Sequence, residues 1–241
     1  MGREQRSRKR LPDSQICYLC NEPIEPDQRW NRDHVPFARL FAKRIREQLN
    51  PDLEWLHAHE ECNSAYKEDE EYFVTAFVGH INTESANAVM EDLGRGARAG
   101  HGRGLIKSII NSFGQVVGPN GEMLFQYDAN RVRRAVWKLV RGLYTLGTKQ
   151  VLPEKPLGKI SLVNPANVPA DLAQLPWFPA VRDTEPLGRY EDVFDYKWLG
   201  WKDGEIRGHA FALMLWNGLI VAVLFHDPAC GCGTCRPIES Q

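Results

Sequence analysis

The sequence predicts an α+β protein, and three observations carry that prediction. Four soft metal ligands, Cys17, Cys20, His59 and Cys62, fall close together as a C-x2-C pair and an H-x2-C pair. Apolar residues recur at helical spacing through residues 129–146. Asn217-Gly218 stands between two apolar, partly β-branched runs, the pattern of a β-hairpin. Together they predict a zinc-stapled N-terminal module, then a helical segment, then a C-terminal α+β region with an antiparallel hairpin.

Composition sets the bounds. The chain has 241 residues, enough to bury a sizeable core without help from a metal. Its net charge is -1, so any contact with nucleic acid must come from local basic patches. Six cysteines fall in two groups, Cys17, Cys20 and Cys62 near the start and Cys230, Cys232 and Cys235 at the end, a spacing that favours metal binding over a disulfide framework. No apolar run reaches the ~18 residues of a membrane span; the longest, residues 213–225, is interrupted by Asn217-Gly218. The basic N-terminus is not followed by the apolar stretch of a secretory signal. A cytoplasmic protein is the expectation.

Taken in order, residues 1–14 carry Arg3, Arg6, Arg8, Lys9 and Arg10 against Glu4 alone, and read as a basic disordered tail. Such a tail is either simply solvated or steers the protein to phosphates. Residues 15–77 form the zinc-stapled module. Residues 15–30 read as a knuckle leading into a short strand. Pro36 biases Val35 to an extended conformation, which places Asp33 and His34 at a strand exit. Phe37, Leu40, Phe41 and Ile45 have helical spacing over residues 37–49, and Asn50-Pro51 breaks it. Residues 53–57 suit a second strand. Residues 60–77 read as a helix that begins at the last metal ligands, with Tyr66, Phe73 and Phe77 on an apolar face and acids at 68–71.

Residues 78–150 are a helical region. Residues 94–104, with three arginines and no acid, read as a flexible basic link, either a plain linker or a phosphate contact. Residues 105–117 suit a helix or a strand. Asp128 is an N-cap for a helix over 129–146, whose core stripe is Val132, Val136, Leu139, Val140 and Leu143. Arg131, Arg134, Lys138 and Arg141 share another face of it, which is either a solvated charged face or a surface laid along a nucleic-acid backbone. Residues 151–229 are an α+β region with an antiparallel sheet. Its proline-rich start, 151–190, is mostly irregular with a strand at 159–163. A strand at 193–199 and a hairpin of 208–216 with 219–225 follow. Residues 230–241 are a cysteine-containing tail. Cys230, Cys232 and Cys235, with His226, offer a second zinc site, the alternative being a free reduced tail.

The chemistry lies in residues 17–67. Two ligand pairs supply the four soft donors of a tetrahedral structural zinc. Asp33 and Asn63 offer hard oxygens suited to Mg²⁺ or Mn²⁺. His34, with an ordinary pKa of about 6.5, can take a proton from water. A metal-bound phosphate beside a histidine base is a minimal arrangement for phosphodiester hydrolysis.

On these residues, 15 to about 73 resemble an HNH endonuclease domain of the ββα-metal type, about a quarter of the chain. The resemblance is carried by Asp33-His34, Pro36, Cys62-Asn63 and Lys67 together with the cysteine pairs. It implies His34 as general base, Asp33 and Asn63 as ligands of the catalytic ion, and Cys17, Cys20, His59 and Cys62 as zinc ligands. His57 is the rival to His59, and the x2 spacing favours His59. The family's middle asparagine aligns with Glu54, and Asn50 is nearby but off-register. The expected function is a metal-dependent endonuclease acting on DNA, with no nucleotide cofactor and no membrane. The alternatives are a zinc-stapled nucleic-acid-binding protein without catalysis, and an RNA-directed nuclease or toxin-like effector.

Overall fold

The computed structural model describes residues 15–49, 53–117, 123–155, 158–165, 170–174, 177–227 and 230. The basic tail, Asn50-Pro51, Cys232 and Cys235 lie outside them. β1 (Trp30–His34) pairs antiparallel with β2 (Trp55–His59), in the register Trp30 to His59 and His34 to Trp55. A short turn at Ala38–Leu40 and α1 (Lys43–Leu49) lie between them. α2 (Glu60–Ser64) and α3 (Lys67–Val78) follow at once, so the last ligands of the knuckle open the helical segment.

α4 (Glu84–Arg98) is capped by Thr83, whose side chain accepts from the Ala86 N–H at 3.3 Å. α5 (Arg103–Ser112) leads into β3 (Phe113–Val117), which pairs with β4 (Met123–Phe125). The basic link expected over 94–104 is therefore mostly helix. Only residues 99–102 turn, with Gly100 and Gly102 at positive φ. Gly94 and Gly96 lower helix propensity by roughly 1 kcal/mol each, but the Thr83 cap and the packing of Ala86, Ala88 and Val89 into the core hold the helix. Residues 105–117, which suited either element, contain both.

α6 (Ala129–Thr148) has the expected cap: Asp128 accepts from the N–H groups of Asn130 and Arg131. The rest is β5 (Gly158–Val163), α7 (Ala170–Ala173), α8 (Trp177–Arg182), β6 (Phe194–Asp203), β7 (Ile206–Leu215) and β8 (Leu219–His226). Strands β5, β8, β7 and β6, in that order, form one antiparallel sheet.

The hairpin turn is displaced by one residue from the expected Asn217-Gly218. Trp216 and Asn217 carry the positive φ values, 50° and 51°, and the Gly218 N–H donates to the Leu215 carbonyl at 3.0 Å. Two contacts explain the shift. A Cβ on Gly218 would lie 2.4 Å from Ile81, so the glycine serves a close approach. Trp216 is fully buried and fixed three ways: its indole N–H donates to the Leu40 carbonyl at 2.8 Å, its backbone N–H donates to Val193, and its carbonyl accepts from Thr83.

One apolar cluster runs from Val35, Phe37 and Leu40 through Phe73, Val136 and Leu143 to Phe211 and Phe225, so the N-terminal strands, α6 and the sheet share a core. Gly142 brings α6 against the end of β1: a Cβ there would lie 2.7 Å from Val35. A second, smaller cluster of Tyr18, Leu19, Ile24, Ala58 and Tyr66 surrounds Cys17. Among the described residues no helix is long and apolar enough to cross a membrane.

Candidate active site and metal centre

The knuckle is a tight turn. The Asn21 N–H donates to the Cys17 carbonyl at 2.8 Å, and the Cys17 N–H donates to Glu22 at 2.9 Å, which points both sulfurs the same way. His59 ends β2 and Cys62 lies within the first turn of α2. The ligand atoms of Cys17, Cys20, His59 and Cys62 all lie within 4.8 Å of one another. Cys20 Sγ is 3.3 Å and Cys62 Sγ 3.9 Å from His59 Nδ1. His59 Nε2 is 2.8 Å from the Gln28 side-chain oxygen. That acceptor places the ring proton on Nε2 and leaves Nδ1 bare toward the sulfurs, the tautomer a metal ligand needs. Burial, with Cys17 and Cys20 beside it, pushes the Cys62 thiol up to about 12. Four such donors fit a metal ion such as zinc. His57 stands apart from them, its ring packed against Trp30 and Trp55 with centroids 4.9 Å away in each case.

Asp33 and Asn63 are brought together by a residue from α6. Lys138 Nζ lies 2.9 Å from Asp33 Oδ2 and 2.9 Å from Asn63 Oδ1, and it pairs closely with Glu70. Tyr18 donates its hydroxyl proton to Asp33 at 2.6 Å, and burial with that carboxylate beside it pushes the phenol well up. The Asn63 amide donates to the Asn31 side chain at 3.1 Å, which turns its oxygen toward the ammonium. Burial raises the Glu70 carboxyl, with Lys138 opposing.

This network corrects the reading of the face formed by Arg131, Arg134, Lys138 and Arg141 for two of its members, since Lys138 and Arg141 are not on a solvated surface. Lys138 and Arg141 are 2% and 1% exposed. Arg141 donates to the carbonyls of Leu152, at 3.0 Å, and Leu19. Arg131 and Arg134 both turn onto Asp69, at 3.2 and 2.6 Å. The cause is α3 and the end of α2 before it: the acids at 69 and 70, the Glu68 carbonyl and the Ala65 carbonyl at the end of α2 lie against this face and accept from Arg131, Arg134 and Lys138. The acid run at 68–71 was the signal in the sequence that could have matched the two faces.

His34 stands at the end of β1, half-buried, next to Asp33, which is 5% exposed. Alternation along a strand turns adjacent side chains to opposite faces. Arg32 shares the His34 side, its guanidinium 4.3 Å above the Trp55 ring. Burial lowers the proton affinity of His34, Asp33 and the Glu54 carbonyl oppose the shift, and Arg46 and Arg32 add to it. His34 Nδ1 is buried and makes no hydrogen bond. Glu54, at the middle position of the motif, contributes its backbone: its carbonyl accepts from the Val35 N–H at 2.9 Å. Lys67 opens α3. At the far end, Cys230 Sγ is 3.7 Å from His226 Nδ1. The other two cysteines of that group lie outside the described residues, so the second zinc site is represented by this pair alone.

Sequence reasoning missed Tyr18, Gln28, Glu70 and the inward role of Lys138. No protein-family model, curated protein or solved structure matches the chain.

Proposed function

We propose that the chain is a zinc-stapled endonuclease of the HNH type, hydrolysing phosphodiester bonds in DNA. One observation carries this reading. Asp33 Oδ2 and Asn63 Oδ1 converge on a single cation position, each 2.9 Å from it, and His34 follows Asp33 at the end of the same strand. One anionic and one neutral oxygen, with Glu70 as a third, make a donor set of the chemistry a hard divalent ion accepts. Bound there, such an ion supplies charge stabilisation to the phosphoryl and leaving oxygens. His34 takes the proton of the attacking water, and its lowered proton affinity keeps it neutral for that role. Arg32 and Arg46, whose charges are felt at His34, supply positive charge for a phosphate, the part first given to the α6 face. The Cys3His cluster fixes the β1–β2 ribbon beneath.

The test is incubation of the purified full-length chain with supercoiled plasmid, with and without Mg²⁺ or Mn²⁺. Divalent-dependent nicking or linearisation is expected. Intact plasmid under every condition, from protein that retains its zinc, would leave the non-catalytic binding module as the account. Cleavage confined to an RNA substrate would move the reading to an RNA-directed nuclease.

A further inference from the structure

The oxygens that a divalent ion requires are already held by a side chain of the protein. Lys138 is 2% exposed, and its ammonium contacts Asp33, Asn63 and Glu70. An ammonium has three N–H donors, and three oxygens use all of them. No donor remains for a phosphate. A magnesium ion bound to the same oxygens at 2.0–2.1 Å would fall inside the volume of that ammonium. Two cations cannot share the position.

Resting on the nuclease reading above, we propose that Lys138 is a resident counter-ion that competes with the divalent ion for Asp33, Asn63 and Glu70. The ion binds only when the ammonium withdraws. Other features of the site agree with an exchange of cations. Tyr18 and Asn31 hold Asp33 and Asn63 in place from behind, so the oxygens stay convergent without the lysine. The Tyr66 ring, 5.6 Å from Nζ, gives the ammonium a contact besides the three oxygens. Lys138 sets the divalent requirement of the site without being the base or a ligand.

The experiment measures Mn²⁺ binding to the full-length, zinc-loaded protein by the loss of the free-Mn²⁺ EPR signal, alongside thermal melting. Lys138→Met removes the ammonium and keeps the buried stem. It should bind Mn²⁺ about tenfold or more tightly than wild type, and at a given Mn²⁺ concentration its melting temperature should rise by more than that of wild type. Adding Asp33→Asn to Lys138→Met should abolish the gain. Equal affinity in wild type and Lys138→Met, or no binding by folded Lys138→Met, overturns the proposal. Should Lys138→Met fail to fold, Lys138→Met with Glu70→Gln removes one buried carboxylate along with the ammonium and is judged against Glu70→Gln alone by the same criteria. Tighter Mn²⁺ binding without plasmid cleavage would sink the nuclease reading and leave the competition standing. Cleavage with equal Mn²⁺ affinity would do the reverse.

Discussion

Two cation positions flank the β1–β2 ribbon, and neighbouring residues, Cys62 and Asn63, belong to one each. They differ in what can satisfy them. The Cys3His cluster presents sulfur and imidazole, donors suited to a soft metal ion rather than to an ammonium. Its ligands are crowded together and stay costly until an external ion arrives. The Asp33–Asn63 position presents hard oxygens, and an ammonium carried by α6 fills it. The first position could hold a metal ion such as zinc, whereas the second has its cation supplied by the chain.

The sharpest way to break this contrast is Cys20→Ser. Binding free energies of structural zinc in small domains are about 10–16 kcal/mol and act as folding free energy. The variant should lose its zinc by metal analysis and lose ordered structure in the N-terminal module by circular dichroism. A folded variant with unchanged zinc would place the ion elsewhere.

His34→Ala probes the second position alone. Cleavage should fall by about 10²- to 10⁴-fold, with zinc content and melting temperature unchanged. Wild-type cleavage by this variant would remove His34 from the mechanism.

Gln28→Ala is a smaller perturbation of the first position. Loss of the acceptor behind a ligating histidine typically weakens metal binding about 10- to 100-fold. Competition with a chromogenic chelator should show that loss, while cleavage at saturating zinc should not change.

The smallest effect is a pH dependence. Burial lowers the proton affinity of His34 in the folded chain below the ordinary value of about 6.5. Protons therefore bind preferentially to the unfolded chain, and stability is lost as pH falls below 6.5 toward the folded value. Above 6.5 the residue contributes nothing. Melting of wild type relative to His34→Ala should decline only in that window. A difference constant with pH would mean that His34 titrates as it does in water.

The soft site was legible in the sequence because its information is local: two x2 spacings place two ligand pairs, and His59 falls in phase where His57 does not. The Asp128 cap and the hairpin were legible for the same reason. The Lys138 network was not, because its partners Glu70 and Asn63 lie 68 and 75 residues away, on α3 and α2. A charged stripe on a helix looks the same whether water or an acidic neighbour covers it. Gly94 and Gly96 concealed the end of α4, since their weak propensity is overridden by packing that the sequence does not display. The turn at Trp216 was off by one because its position is set by contacts with Leu40, Val193, Thr83 and Ile81 in distant segments.

The bond between Trp216 and Leu40 also has a consequence for biogenesis. Its two ends are 176 residues apart. At a synthesis rate of roughly 5–20 residues per second, the Leu40 carbonyl waits on the order of 10–35 s for its donor. Once residue 62 has been made, early in that interval, all four knuckle ligands exist and can be metallated. Val35, Phe37 and Leu40, however, still lack the helix and sheet that cover them. The nascent N-terminal module is thus complete in its ligands while its core is open, and the apolar surface left uncovered is prone to aggregation.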